Sequence, residues 1–487
     1  MSSKNWACLC AAFETSKTGP VFLFLLNPLF DLIGRRGFLI HKFADESISR
    51  LKKNRIFAFY FIVMDTMEKL YQLYRQFPQI CTDTRNIIPQ SLFFCLKGEN
   101  FDGNNFATQA LEAGAAYVVT ERQDLKDNPR CVVVDNSLKT LQQLARYHRQ
   151  QLQIPVIGIT GSNGKTTTKE LVAAVLSKKY NICYTQGNLN NHIGVPLTLL
   201  SITDDHQIAI VEMGANHPGE IADLCELSMP NYGLITNIGV AHIEGFLSKE
   251  NIIITKKALY RSVMACNGTL FVNIDDDILM QDLNYQPIVT YATQKQADIN
   301  GRVVRNDGLI SIELFGQTVD THLTGAYNLY NMLAAAAVGH HFGVSKEDIC
   351  AAIAQYQPAN HRSQVEHKGS NTIIADYYNA NPTSMTAALQ NLIGIEHPHK
   401  VAILGDMREL GSVSDEEHTR IIKLCNDNNI ETYFVGSEFR KHLAGDPHSF
   451  ANVDEANDYL AANPISNGII LVKGSHSIHL DKLNLLK

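Results

Sequence analysis

The chain has 487 residues, 45% hydrophobic and 19% charged, an ordinary globular composition with length for roughly three domains at ~150 residues each. Its 42 Lys and Arg against 49 Asp and Glu give a net charge of −7. That argues against non-specific nucleic-acid binding, which needs a basic footprint, and leaves nucleotide binding open. The ten cysteines include no CxxC pair, so they read as reduced thiols of a cytoplasmic protein that needs no disulfide staples.

Taken in chain order, residues 1–63 stand apart as an atypical N-terminal extension. Two apolar stretches, residues 21–30 and 56–63, are both shorter than the ~18–20 residues that span a bilayer, so no stable membrane insertion is expected. Lys4 and Lys17 precede the first stretch as in a secretory signal, but no small-residue cleavage site follows. The basic run from Arg50 to Arg55 offers instead the flank of a surface-binding helix. A third reading is that the segment is not native to the protein, with Met64 or Met67 as the start of the globular pattern.

From Met67 helix-like and strand-like patterns alternate. Residues 67–77 read as a short amphipathic helix, 91–96 as an apolar run bounded by Pro89 and Gly98, 116–120 and 131–134 as strands, and 106–114 and 138–150 as helices. After a joint at 151–155, strands are expected at 156–160, 208–212, 233–237 and 269–273, with helices or loops between them as in a parallel sheet with crossovers. Residues 288–323 are strand-rich but less regular, and an alanine-rich helix follows at 327–342. A second open α/β sheet then has strands at 372–375, 401–404, 432–435 and 468–472 and helices at 384–392, 415–428 and 453–462.

Between the strand 156–160 and the helix 165–176 lies Thr160-Gly161-Ser162-Asn163-Gly164-Lys165-Thr166-Thr167. Backbone N–H groups of such a loop wrap a phosphate, and the helix N-terminus adds positive potential. Lys165 would reach the β- and γ-phosphates and the Thr166 hydroxyl would ligate Mg²⁺. The usual pattern has glycine where this chain has Ile159, with Gly158 one position early, so the motif is a shortened phosphate loop. Glu212 closes the next apolar strand, and open α/β sheets bind ligands beyond the carboxyl ends of their strands, so it is a candidate metal ligand. His242, in the loop after a third strand, is a candidate ligand for a second ion. The amide-dense segment Gly187-Asn188-Leu189-Asn190-Asn191 offers donors to a polar substrate.

Together the motifs TGSNGKTTTKE, GNLNNHIGVP, VEMGANHPGEI, ITNIGVAHIEGF, GAYNLYNMLAA, DYYNANPTSM and LGDMRELG resemble the Mur ligase family, ATP-dependent amide-bond-forming enzymes of peptidoglycan synthesis. The resemblance runs from about Met67 to Lys473. Within the family, DYYNANPTSM and VEMGAN look most like the members that add D-alanyl-D-alanine. It implies a three-domain α/β architecture: a UDP-substrate-binding domain at 64–150, a central P-loop parallel-sheet ATPase domain at 151–358 and a C-terminal Rossmann-like ligase domain at 359–487. It implies ATP and Mg²⁺ (two ions) as cofactors, and UDP-MurNAc-tripeptide and D-Ala-D-Ala as substrates of a cytoplasmic monomer.

Residue by residue, Gly161 to Thr167 match the family's nucleotide loop, Lys165 and His242 its catalytic machinery, and Thr166, Glu212 and His242 its metal ligands. Lys256 matches the lysine that the family carbamylates, which would make it a further catalytic and metal-ligating group. Asn273, Asn328 and Asn331 match asparagines near the nucleotide, and Arg362 and Asp376 match residues that close onto ATP. Thr84, Arg85, Lys97 and Gly98 fall in the part that resembles the uridine-nucleotide site. Asn188, Asn190, Asn379 and Asn381 complete the implied substrate contacts. Three departures stand out: Lys257-Ala258 where Gly-Glu is usual, Leu247 for a glycine, and His476 for an arginine. The rivals are a sister ligase adding another amino acid, which turnover across acceptor amines separates, and a folylpolyglutamate-type ligase, whose pterin site the TDTR and LFFCLKGEN segments do not fit. A nucleotide-dependent switch protein would carry an Asn-Lys-x-Asp segment after the loop, and none follows. A catalytically silent scaffold is disfavoured by the retained Lys165, Glu212, His242 and Lys256.

Overall fold

The computed structural model describes residues 55–358 and 361–486, with side chains from Thr66 onward. The chain divides into two units, Met1–Leu70 and Tyr71–Lys487. Most of the N-terminal extension lies outside the described residues. Its end does not: one helix, Arg55–Gln76, runs through Met64 and Met67 without a break, so the helix expected at 67–77 starts twelve residues earlier. It stops just before Phe77-Pro78, as expected where a following proline disfavours helical backbone. No helix among the described residues is long and apolar enough to cross a membrane.

The second unit contains three α/β layers in chain order. The first is a parallel four-stranded sheet, ordered Ile80–Cys81, Leu92–Phe94, Tyr117–Thr120 and Cys131–Val133. The second is a nine-stranded sheet in which Val156–Thr160 lies between Tyr232–Ile235 and Ile208–Glu212. Its strands are parallel except at one edge, where Ile310–Leu314 and Gln317–Asp320 turn antiparallel. The strands Val156–Thr160, Ile208–Glu212 and Thr269–Asn273 are buried along their whole length, which is why they read as unbroken apolar runs rather than alternating ones. The third is a six-stranded sheet, parallel apart from the Gln364–Lys368 edge strand.

What positions the site is the packing behind the phosphate loop. Helix Lys165–Leu176 packs against the alanine-rich helix Asn328–His341, and Ala334 to Ala337 are all buried. A side chain at Gly339 would put its Cβ 2.3 Å from Val175 Cγ1, so small residues set how closely the two helices approach. That approach brings the first turn of the second helix, with Asn328 and Asn331, against the back of the loop. The central sheet and the C-terminal sheet each carry their own apolar core.

Candidate active site

A cavity of about 920 Å³ lies at the carboxyl ends of the central strands, walled by the phosphate loop on one side and by the C-terminal sheet on the other. The loop is pinned from below. Ser162 N–H donates to Asn237 O at 2.9 Å and the Ser162 hydroxyl to Gly239 O at 2.9 Å. Asn163 N–H donates to Asn237 Oδ1 at 3.1 Å, and the Thr236 hydroxyl to Asn163 O at 2.6 Å. Gly161 has φ +148°, and a Cβ there would lie 1.9 Å from Thr236 Oγ1, so only glycine fits. Gly164, at φ +76°, begins the helix with no side chain capping its first turn, which leaves that end of the helix to an anion.

Lys165 folds back over the loop and donates to Gly161 O at 2.9 Å and Ser162 O at 3.2 Å, within easy rotation of the cavity it lines. Burial holds its ammonium below the usual lysine range, with Glu212 opposing the shift and Arg362 adding to it. Thr166 donates to Glu212 Oε1 at 3.2 Å and Asn190 Nδ2 donates to the same oxygen at 2.8 Å. Glu212 is buried, and its Oε2 has no hydrogen-bond partner. An orphaned buried carboxylate oxygen beside a hydroxyl is a donor set that suits a hard divalent cation. No three His, Cys, Asp or Glu side chains cluster as a metal site among the described residues. An ion at Glu212 would therefore share its coordination with phosphate and water oxygens, the habit of Mg²⁺.

The C-terminal wall brings Arg362, Asp376, Asn379 and Asn381 to the cavity. Asn381 Nδ2 donates to Asn163 Oδ1 at 2.8 Å, tying this wall to the phosphate loop. The same residue caps helix Pro382–Gly394 in a reciprocal capping box with Ser384, with proline in the first turn. Asp376 accepts from Lys473 Nζ at 2.7 Å and from Ser363 N–H at 3.2 Å. His242, with φ +53°, turns its Nδ1 to Glu409 of the C-terminal domain.

Of the residues expected at the site, Ser162 to Thr167, Asn188, Asn190, Glu212, His242, Asn328, Asn331, Arg362, Asp376, Asn379 and Asn381 line this cavity. Asn328 and Asn331 do so from behind the loop: Asn331 accepts from Thr168 at 3.0 Å and donates to Asn328 at 2.8 Å. Gly161 supports the loop without lining the cavity, and Asn273 spends its Oδ1 on Asp275 N–H at 3.1 Å, away from it. Lys256 is buried and does not line the cavity, its ammonium lying 5.6 Å from the Phe246 ring centre. Burial, then repulsion from Lys165, pushes that ammonium down to about 7 against the pull of Glu220. Thr84, Arg85, Lys97 and Gly98 lie apart from the cavity, with Arg85 paired to Asp83 and Lys97 to Glu121. Sequence reasoning passed over Lys473, Tyr327, Tyr378 and Glu409. The signal available for Lys473 was a lysine ending an apolar strand, and it is 2% exposed.

A parallel sheet with a phosphate loop at its carboxyl edge, facing a second α/β domain across a polar cavity, defines a nucleotide-dependent enzyme of the P-loop class. Models of known families sharpen this. Residues 77–159 match the Mur ligase family catalytic domain, 159–339 the Mur ligase middle domain and 361–476 the Mur ligase glutamate ligase domain. The chain is 36% identical over 422 residues to the UDP-N-acetylmuramoyl-tripeptide--D-alanyl-D-alanine ligase of Bacillus subtilis, covering 83% of this chain and 92% of that protein. It superposes on the crystal structure of MurF from Acinetobacter baumannii with a TM-score of 0.76 at 32% identity, over 84% of this chain and 93% of the other. Against the MurF ligase from Thermotoga maritima in complex with ADP the TM-score is 0.74 at 27% identity, over 83% and 96% of the two chains. The chain belongs to the Mur ligase family.

Proposed function

We propose that this chain joins D-alanyl-D-alanine to UDP-N-acetylmuramoyl-tripeptide at the expense of ATP, a step in building peptidoglycan precursors in the cytoplasm. The observation that carries this is one cavity uniting the phosphate loop, the Thr166–Glu212 pair and the Asn379–Asn381 loop, in a chain 36% identical to a ligase of that name. Residues 151–358 would hold ATP, 64–150 the uridine nucleotide and 359–487 the dipeptide, with Thr84, Arg85, Lys97 and Gly98 serving the uridine end, away from the reacting carboxyl.

A carboxylate is a poor acyl donor, so the tripeptide carboxyl first takes the γ-phosphoryl group of ATP. Lys165, a short rotation from the loop carbonyls, offsets charge on the group in flight, and fixed positioning does most of the rest. Thr166 and Glu212 would hold Mg²⁺, which when bound neutralises charge on the phosphate oxygens. The neutral dipeptide amine then attacks the acyl carbon, the tetrahedral centre gives up the amine's proton to solvent, and its C–O bond to phosphate breaks so that phosphate leaves. The C-terminal wall keeps water from the acyl phosphate, which hydrolysis would otherwise waste.

Lys256 works in this reading as a carbamate. A free ammonium near bound cations would be repelled, since like charges a few ångströms apart cost about 1 kcal/mol even at water's dielectric. Its depressed pKa of about 7 supports the reading, because only the neutral amine adds CO₂. The carbamate reverses the sign and would supply a further oxygen ligand for a second ion, with His242 as that ion's imidazole.

The test is ATP-dependent phosphate release with UDP-MurNAc-tripeptide, with and without D-Ala-D-Ala. Release that requires all three substrates supports the proposal. Release driven equally by a single amino acid overturns it in favour of a sister ligase.

A further inference from the structure

The antiparallel pairing of Gln364–Lys368 with Asn371–Ala375 starts at Gln364 opposite Ala375, and the two chains stay in touch beyond it. Ser363 N–H donates to Asp376 Oδ1 at 3.2 Å. His361 Nδ1 and the Tyr377 hydroxyl are 2.9 Å apart, with the two rings stacked at 4.6 Å. Between them the Arg362 guanidinium carbon sits 3.7 Å from the centre of the Tyr378 ring. His361 and Ser363, on either side of the arginine, have φ of +54° and +51°. Residues other than glycine adopt that backbone only where their surroundings enforce it. Three consecutive residues are thus gripped by three others, and the middle one lines the cavity.

Arg362 Nε is buried and makes no hydrogen bond, so the ring face of Tyr378 is what holds this cation. Tyr378 is half-buried and lines the cavity, whereas its neighbour Tyr377 is packed into the C-terminal core. A residue needed only for the fold would be expected to sit as Tyr377 does. We propose that Tyr378 is a positioning residue: its π-face fixes the Arg362 guanidinium toward the nucleotide phosphates before they arrive, leaving its N–H groups free for them. An aromatic face attracts a cation without using up its donors, as a carboxylate partner would. Arginine's rotamer freedom is then restricted before binding. The inference rests on the reading above only in taking Arg362 as a phosphate-facing group.

The test replaces Tyr378 with phenylalanine as the reference and then with phenylalanines of increasing ring fluorination, which weakens the π-face at nearly constant shape. ADP affinity by calorimetry and kcat/KM for ATP are read in wild-type and Arg362→Ala backgrounds. ADP affinity should fall stepwise along the series, by about tenfold in all, the scale of a desolvated cation–π contact, and the series should be flat in Arg362→Ala. A series flat in both backgrounds, with Arg362→Ala itself impaired, overturns the role of Tyr378 alone. An equal fall in both backgrounds also overturns it, since the ring would then act without the arginine. Unchanged ADP affinity and kcat/KM in Arg362→Ala would overturn the phosphate-facing reading instead.

Discussion

On the central-sheet side of the cavity, the phosphate loop hangs on backbone atoms and short side chains: Ser162, Asn163 and Gly161 are each locked to the 236–239 segment below them. On the C-terminal side, Arg362, Asp376 and Asn381 sit at a sheet with an apolar core of its own, and hydrogen bonds tie it to the central domain, among them His242 to Glu409. Asn381 reaches Asn163, Asn391 reaches Thr324 at 2.9 Å, Asn306 reaches Asn391 at 3.1 Å, and Tyr327 meets Ser363 at 3.0 Å. A seam of single polar contacts, each worth about 0.5–1.5 kcal/mol, is far weaker than a shared core. The first wall is therefore built by folding, and the second is assembled across a seam that can open for substrate and product.

The largest expected effect is on the first wall. Lys165→Ala should lower turnover by about 10²–10³-fold or more while the fold stays intact, because a preorganised charge on the transferred group is lost. Phosphate release and thermal unfolding measured side by side check this. Near-normal turnover would mean that the loop does not hold the reacting phosphate.

Lys256→Ala should follow, with a loss of about 10²-fold, partly restored by short-chain carboxylates that fill the vacated space; Lys256→Glu should recover a little by itself. The pH dependence has a definite sign. Burial pushes its pKa down to about 7 from the ordinary ~10.4, and protonation as the pH falls removes the neutral form that adds CO₂. Wild-type activity in bicarbonate-poor buffer should fall as the pH drops through 7, and added bicarbonate should oppose the fall. Lys256→Glu should lack that bicarbonate response. Wild-type-like activity in Lys256→Ala would return the lysine to a merely structural role.

Asn381 separates the two walls' contributions within one residue. Asn381→Ala removes both the helix cap and the bond to Asn163, costing about 1 kcal/mol of stability from the cap. Asn381→Asp keeps an equally good cap but loses the donor and sets a carboxylate beside the phosphate loop. It should unfold like the wild type while kcat/KM for ATP drops about tenfold, since the repulsion it adds is of order 1 kcal/mol or more. Equal thermal loss in both variants would show that the cap is not what Asn381 contributes.

Both walls are largely legible in the sequence, since Arg362, Asp376, Asn379 and Asn381 of the second are expected at the site and line the cavity; what stays hidden is the edge of each sheet and the contacts that join the walls. Residues 156–160, 208–212 and 269–273 read as strands with the bounds observed, because strands buried on both faces leave continuous apolar runs, and the glycines of the loop mark its strained turns. Gln364–Lys368 escaped because an edge strand of Gln, Val, Glu, His and Lys is only partly buried and shows no such run. Ile182–Tyr184 and Ile80–Cys81 are too short to carry a period. The His242–Glu409 contact spans 167 positions, and no local pattern encodes a pairing of that range. Asn273, which the family resemblance places near the nucleotide, uses its Oδ1 in the turn after its strand.

The smallest expected effect tests the seam away from the chemistry. Asn391 is buried, donates to the Thr324 hydroxyl and accepts from Asn306 Nδ2, and it does not line the cavity. Asn391→Ala breaks both bonds while leaving every group of the first wall in place. Two such bonds, net of what water returns, are worth about 1–3 kcal/mol together, and much of that is recovered because an opened seam is hydrated. The joined arrangement should therefore become only a few-fold rarer. ADP affinity measured by calorimetry keeps its phosphate-loop share and loses only part of what Arg362 adds, so it should change less than kcat for the full reaction, which falls two- to fivefold or so (about 0.4–1 kcal/mol). Asn391→Asp, which keeps an acceptor for Asn306, should lose less than Asn391→Ala. A loss of ADP affinity as large as the loss of kcat would mean that the two walls form one preassembled site, and the distinction between a folded wall and an assembled one would fall.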